Sequence, residues 1–250
     1  MTAVQIEEQV SRALKESLKS YCDELVEKNL AVSTLIDPKI KSTQLQEEIW
    51  QEIATYKKLC VDGCKACVAE VRLLSRSDPS IDIQAFEDNL SKALQRLQTS
   101  SSVHKCAKEV VSGKTWMDLL SLTETTMQLL YIGAQVLFNS KRYSEAEAAF
   151  CFLSTIDSMQ YAFWAGLGHA RYHQQNFPRA VAAYQMAMLC DPFAIWPYFF
   201  SANAFEAESD WEQARLMLED AKSLYEEQGL QDKELYQAII ERLQRIHERE

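Results

Sequence analysis

The spacing of hydrophobic residues along the chain predicts α-helices almost throughout. In the first 120 residues, apolar side chains recur every three to four positions in four separate stretches. These stretches are residues 4–28, 42–74, 83–97 and 103–111. Each predicted helix has one apolar face that must dock against another surface. We therefore interpret this region as a helical bundle or a dimerisation arm.

The second half of the chain repeats itself with a period of 34 residues. Small residues recur at one position, and large residues recur four positions later. They are Ala146, Ala180 and Ala214, followed by Phe150, Tyr184 and Leu218. Small residues allow the two helices of a hairpin to cross closely, and large residues fill the gap to the next hairpin. This period and this order are the sequence signature of the tetratricopeptide repeat.

Three repeats and a capping helix are predicted in this half. They occupy residues 127–160, 161–194, 195–228 and 232–250. The central unit matches the repeat pattern best, with Trp164 near its start and Pro192 near its end. The predicted fold is therefore all-α: a tetratricopeptide-repeat solenoid at residues 121–250, with three repeats plus the capping helix, preceded by an N-terminal helical region at residues 1–120.

Composition and charge exclude several classes of function. The 250 residues include only 6 Gly and 5 Pro, too few for the special turns of β-sandwiches, barrels and Gly-rich nucleotide folds. A net charge of -10 argues against a nucleic-acid partner, because no basic surplus exists to displace phosphate counterions. No apolar run approaches the roughly 20 residues of a membrane span, and Glu7 and Glu8 lie where a signal peptide would be apolar. We expect a cytoplasmic protein without direct membrane insertion.

Two clusters of chemically versatile side chains favour packing over catalysis. Cys60, Cys64 and Cys67 share one face of a predicted helix, but they lie on its apolar stripe and no second cysteine pair completes a zinc site. Metal or redox chemistry remains a less favoured alternative for them. His169 and His173 also share a helix face, without a neighbouring carboxylate or nucleophile in sequence. We expect no enzyme activity, no metal and no cofactor.

Residue choices within the repeats resemble one particular family. The relevant residues are Leu130-Tyr131, Ala134, Phe138-Asn139, Tyr143, Ala146, Phe150, Asp157, Phe163-Trp164, Gly166-Leu167-Gly168 and Ala170-Arg171. They resemble the class II chaperones of bacterial type III secretion, over about residues 125–225. The resemblance implies an all-helical protein with three repeats and an N-terminal region used in dimerisation. The roughly 120 residues before the repeats depart from that family, which usually has a few tens.

The first helix of each repeat lines the concave surface of a tetratricopeptide array. We therefore expect a groove on this surface, lined by residues from positions 2, 5, 9, 12 and 13 of the units. The candidate groove residues are Gln128, Tyr131, Gln135, Phe138, Asn139, His169, Tyr172, His173, Trp196, Phe199 and Asn203. Aromatic rings suit apolar anchors, while amides and imidazoles suit the unpaired backbone of an extended peptide. An alternative is that Tyr131, Phe138 and Phe199 pack between helices.

Three classes of function are considered, and the secretion chaperone is the favoured one. The resemblance implies a secretion chaperone that binds hydrophobic translocator proteins through an extended segment containing Pro and Leu, and that forms a homodimer. The alternative is a generic tetratricopeptide adaptor in another assembly. An enzyme or metalloprotein would have to rest on Cys60, Cys64 and Cys67 alone. The identity of the client, the oligomeric state and the role of the N-terminal helices are left open by the sequence.

Overall fold

The computed structural model describes residues 38–96, 109, 113–230 and 232–248, and these residues form helices and turns without a strand. The helices are α1 (Pro38–Ser77), α2 (Ile83–Arg96), α3 (Trp116–Leu120), α4 (Glu124–Asn139), α5 (Tyr143–Ile156), α6 (Tyr161–His173), α7 (Phe177–Cys190), α8 (Ile195–Ala207), α9 (Trp211–Glu227) and α10 (Lys233–His247). The all-α fold with three helical repeats and a capping helix is thus confirmed. The helix predicted at residues 4–28, and nearly all of that at 103–111, lie outside the described residues.

The described residues belong to two compact units. The first comprises the described residues within 1–61 and 84–123, and the second comprises those within 62–83 and 124–250. Residues 62–83 therefore pack with the repeats. The domain boundary that the sequence analysis places at residue 120 stays a prediction.

In the first unit, the side chain of Asn89 on α2 holds the loop that follows α3. Its amide nitrogen donates to the carbonyl oxygen of Ser121 at 3.0 Å, and its amide oxygen accepts from the backbone N–H of Thr123 at 3.0 Å. The helix α3 itself begins with a capping box, in which Thr115 and Asp118 each bond the other's backbone N–H. This short helix was not predicted from the sequence.

In the second unit, the three helical hairpins turn in the same way. Lys141, Gln175 and Ser209, which are 34 residues apart, all have φ near +60°. In each turn, this residue donates its backbone N–H to the carbonyl three residues earlier, and the next residue donates to the carbonyl five residues earlier. This is the Schellman motif, which satisfies the free carbonyls at a helix end. The 34-residue period is therefore a period of the backbone as well.

The C-terminal half of α1 covers the first hairpin of the array. A Cβ atom on Gly63 would lie 1.9 Å from the carbonyl oxygen of Ala148, so α1 crosses α5 with the two backbones in contact. Cys67 and Val71 on the same half are fully buried. Glu70 is also buried, and its carboxylate accepts a hydrogen bond from the guanidinium of Arg142 at 2.5 Å.

The capping helix α10 closes the other end of the array. Leu235, Ile239 and Ile246 on this helix form one buried cluster with Leu218 of α9 and apolar residues of α8. Arg242 is 7% exposed, and its Nε and Nη2 both donate to one carboxylate oxygen of Glu206, at 3.0 and 2.9 Å. A buried charge pair of this kind holds α10 on α8 in one position.

Candidate functional site

A cavity of about 420 Å³ lies on the face of the array formed by the first helices of the repeats. The residues that line it are Tyr131, Gln135, Phe138, Asn139, Phe150, Tyr161, Ala162, Ala165, Gly166, His169, Trp196 and Phe200. Six of the twelve are Phe, Tyr or Trp, and none is Asp, Glu, Lys or Arg. The wall is therefore aromatic and uncharged.

Helical periodicity explains how α4 and α6 contribute to the cavity. Tyr131, Gln135, Phe138 and Asn139 lie at i, i+4, i+7 and i+8, which is one face of α4. On α6 the corresponding face carries Ala162, Ala165, Gly166 and His169. Because the central helix presents mostly small side chains, it forms a floor between the aromatic walls of its neighbours.

Gly166 sets the depth of that floor. A Cβ atom at this position would lie 2.4 Å from the ring of Phe150, which itself lines the cavity from α5. Any larger residue at position 166 would displace this ring. The glycine therefore permits an aromatic side chain from a second helix to reach the groove.

The structure brings together six of the eleven groove residues that the sequence predicts. Tyr131, Gln135, Phe138, Asn139, His169 and Trp196 line the cavity. Gln128, Tyr172, His173, Phe199 and Asn203 are not among the lining residues. Of these five, Gln128 and His173 are exposed, and Tyr172, Phe199 and Asn203 are partly buried.

The ring of Phe199 packs at the capped end of the array. The guanidinium carbon of Arg242 lies 4.7 Å from the centre of this ring, and Phe199 packs against the buried cluster that α8 and α9 share with α10. His173 is stacked on Tyr143, with ring centres 4.6 Å apart and ring planes at 7°. Tyr172 contacts Phe177, with ring centres 5.4 Å apart. These three residues therefore have aromatic or cationic partners within the protein.

Sequence reasoning missed the aromatic lining residues Phe150, Tyr161 and Phe200. Phe150 belongs to a second helix of a repeat, and the prediction used first helices only. Tyr161 and Phe200 occupy positions 1 and 6 of their repeats, next to the positions that were used. Phe200 directly follows Phe199, and adjacent residues on a helix point about 100° apart, so a small difference in the orientation of α8 decides which of the two rings lines the cavity.

His169 is the titratable group of the cavity wall with the strongest perturbation. Burial, and to a smaller extent His173, lowers the pKa of its imidazole from 6.5 to about 4. Its Nδ1 lies 3.0 Å from the hydroxyl of the buried Tyr184, and its ring meets that of Phe200 edge to face at 4.4 Å. The imidazole is thus neutral at pH 7 and adds no charge to the cavity.

The cysteine face on α1 lies elsewhere. Cys67 is fully buried, and burial raises the pKa of its thiol, while Cys60 and Cys64 are partly buried. Within the described ranges, no three His, Cys, Asp or Glu side chains are grouped in a way that would hold a metal ion. None of the helices in the same ranges combines the length and apolarity needed to cross a membrane.

The fold is similar to that of solved type III secretion proteins. One chain of a T3SS complex from Aeromonas hydrophila superposes with a TM-score of 0.54 and 20% identity, over 58% of this chain and 96% of the other. At this identity the similarity is one of fold. The part of the chain outside the match has no counterpart in that structure.

Two further structures match at lower TM-scores. The type III secretion translocator chaperone SycD of Yersinia enterocolitica has a TM-score of 0.49 and 23% identity, over 53% of this chain and 98% of its own. PcrH in complex with the chaperone binding region of PopD has a TM-score of 0.49 and 21% identity, over 51% and 96%. No protein-family model matches the sequence, and no curated protein is significantly similar to it.

Proposed function

We propose that this protein is a cytoplasmic type III secretion chaperone that holds a hydrophobic translocator protein by an extended, apolar segment bound in the cavity. The observation that carries the proposal is the aromatic, uncharged wall built by the first helices of all three repeats. The family resemblance of residues 125–225 and the similarity of fold to a chain of a T3SS complex support it.

The cavity suits a peptide that lacks secondary structure of its own. Tyr131, Phe138 and Trp196 offer ring faces for apolar side chains. Gln135 and Asn139 are exposed beside them and carry amide groups that can both donate to and accept from a peptide backbone. An extended segment has such unpaired N–H and C=O groups, whereas a helix has already satisfied them internally.

The charge of the protein fits the handling of an aggregation-prone client. A net charge of -10 makes complexes repel one another, which opposes their association even when a hydrophobic protein is bound. We also propose that the protein is a homodimer, with residues 1–28 contributing to the dimer. Deletion of these residues should lower the number of chains per particle measured in solution by light scattering, and an unchanged number would count against this part of the proposal.

The proposed function is tested by substituting a cavity residue that is exposed, so that the hydrophobic core is not disturbed. Trp196 is 45% exposed and lines the cavity, so Trp196→Glu should introduce an unpaired charge without unfolding the protein. Leu216 is 39% exposed on α9 and does not line the cavity, so Leu216→Glu is the matched control. The measurement is affinity purification from the source cells, with mass spectrometry of the proteins that co-purify.

A secreted protein with long hydrophobic segments should co-purify with the wild type and with Leu216→Glu, and not with Trp196→Glu. Soluble partners that bind all three proteins equally would contradict the chaperone proposal and favour the generic adaptor. Thermal unfolding of each variant, followed by circular dichroism, checks that the two substitutions have similar and small effects on stability.

A further inference from the structure

The direction of the hydrogen bond between Tyr184 and His169 can be argued from the burial of the tyrosine. Tyr184 on α7 is 1% exposed, and its hydroxyl lies 3.0 Å from Nδ1 of His169 on α6. Among the described residues, neither side chain has another hydrogen-bond partner. Burial raises the pKa of Tyr184, so the hydroxyl keeps its proton. A buried O–H group must donate to an acceptor, and Nδ1 is the acceptor in reach.

This direction fixes the tautomer of His169. Nδ1 accepts from Tyr184 and so carries the lone pair. The imidazole is neutral, because burial lowers its pKa to about 4, and its single proton is therefore on Nε2. The ring forms part of the cavity wall, and Nε2 has no partner among the residues that the structure describes.

We propose that His169 presents its Nε2–H to the cavity as a fixed hydrogen-bond donor, and that this donor binds a backbone carbonyl of the segment held there. The inference rests on the proposed function and specifies the chemistry of the ligand. The bound segment is extended and uncharged at this point, with a C=O group placed between its apolar side chains. Tyr184 acts as a positioning residue, since it holds the imidazole in the donor tautomer.

The surroundings of His169 select a carbonyl over a carboxylate. Phe138, Phe150 and Phe200 line the same cavity, and none of the twelve lining residues is a cation. A carboxylate would lose its hydration there without gaining a partner of opposite charge, which is strongly unfavourable. A backbone carbonyl costs much less to desolvate, and in an extended segment it has no partner of its own. If the ligand covered Nε2–H without providing an acceptor, the unsatisfied donor would weaken binding.

The test uses peptides of the chaperone binding region of PopD as the probe. In one series, each backbone carbonyl in turn is replaced by a methylene group, and affinities are measured by isothermal titration calorimetry. In the wild type, one replacement should weaken binding by about tenfold to a hundredfold, the cost of an unsatisfied buried donor. In His169→Phe, the same replacement should have little effect, because the donor is absent. His173→Phe is the matched control, since His173 lies one turn away and does not line the cavity.

A second measurement reads the tautomer without any ligand. Long-range ¹H–¹⁵N NMR spectra should show the proton of His169 on Nε2 in the wild type, and a mixture of tautomers in Tyr184→Phe. A proton on Nδ1 in the wild type would overturn the inference. So would a peptide series in which the wild type and His169→Phe lose affinity at the same positions. Losses of affinity that do not depend on the replaced position would also refute the inference alone, whereas unchanged co-purification with Trp196→Glu would refute the proposed function.

Discussion

Single residues decide the shape and the charge of the groove. Gly166 allows the ring of Phe150 to reach the cavity, and the small neighbours Ala162 and Ala165 keep the floor open. His169 is the one imidazole on the lining surface, and its environment keeps it neutral. A charge at this position would be poorly solvated and would face Phe138 and Phe200. The neutrality of one side chain is therefore a property on which stability should depend.

Acidification should destabilise the protein through His169. Burial lowers its pKa from 6.5 to about 4, so between these values the unfolded chain binds a proton that the folded protein does not. The contribution of His169 to the free energy of unfolding is therefore fully present above about pH 7. It falls by up to about 3 kcal/mol as the pH drops towards 4. The measurement is the free energy of unfolding in urea at pH 7, 5.5 and 4.5.

The comparison protein for this experiment is His169→Gln, which has no titratable group at the position. Its free energy of unfolding should fall less steeply over the same pH range. Identical pH dependence in the wild type and in His169→Gln would show that His169 does not carry the effect.

At the scale of elements, the hairpin turns and the helix contacts set the geometry of the array. Each hairpin ends its first helix with a residue in the left-handed region, and none of the three residues is glycine. Between helices, partly buried ion pairs complement the apolar contacts: Arg142 bonds Glu70 of α1, Arg171 bonds Glu147 of α5, and Arg242 bonds Glu206 of α8. These pairs have demanding geometry, so they favour one arrangement of the helices over others.

Replacing Ser209 by glycine should stabilise the third hairpin. Ser209 has φ +63°, and this conformation costs a non-glycine residue roughly 1 kcal/mol. Glycine adopts it without that cost and is the preferred residue at this position of a Schellman motif. The expected result for Ser209→Gly is a gain of about 0.5–1 kcal/mol in the free energy of unfolding, measured by urea titration.

Ser223→Gly provides a control of opposite sign. Ser223 is exposed inside α9, where glycine loses about 1 kcal/mol relative to good helix formers. A loss of stability in both variants would contradict the argument from the left-handed turn.

At the scale of the whole molecule, the repeat array is covered at both ends by helices that are not repeats. A solenoid leaves one apolar face uncovered at each end, and terminal units must cover it. The helix α10 does so after the third repeat, and residues 62–77 of α1 do so before the first. The array proper is therefore incomplete without a segment that ends at Ser77, well before α4 begins at Glu124.

Removal of that segment should destabilise the repeats. The comparison is between two fragments, residues 62–250 and residues 124–250, by thermal unfolding followed with circular dichroism. Cys67 and Val71 are fully buried in the protein, and the shorter fragment lacks both. The burial of these two side chains alone contributes about 3 kcal/mol to the free energy of unfolding. We expect the shorter fragment to melt at a clearly lower temperature. Equal melting temperatures would show that residues 62–83 do not stabilise the array.

Much of the architecture was predictable because it is periodic. The 34-residue interval between Ala146, Ala180 and Ala214 indicated the repeats, and the same interval separates the starts of α6 at Tyr161 and α8 at Ile195. Half of the candidate site was predictable for the same reason, since repeat position selects the helix face. The cysteine stripe was likewise interpreted as packing, and Cys67 is buried between α1 and the first hairpin. Within the repeats, the periodic pattern of the sequence was sufficient to predict which face of a helix a residue occupies.

The sequence by itself determined the helices, their grouping into hairpins and the aromatic character of one face. Only the tertiary structure decided which aromatic residues line the cavity: Phe150 enters from a second helix, Phe200 faces the groove, and Phe199 lies beneath Arg242 of α10. It also decided that the C-terminal half of α1 belongs with the repeats. The physical reason is that periodicity records which face of a helix is apolar, whereas the partner of that face depends on contacts between residues far apart in the chain.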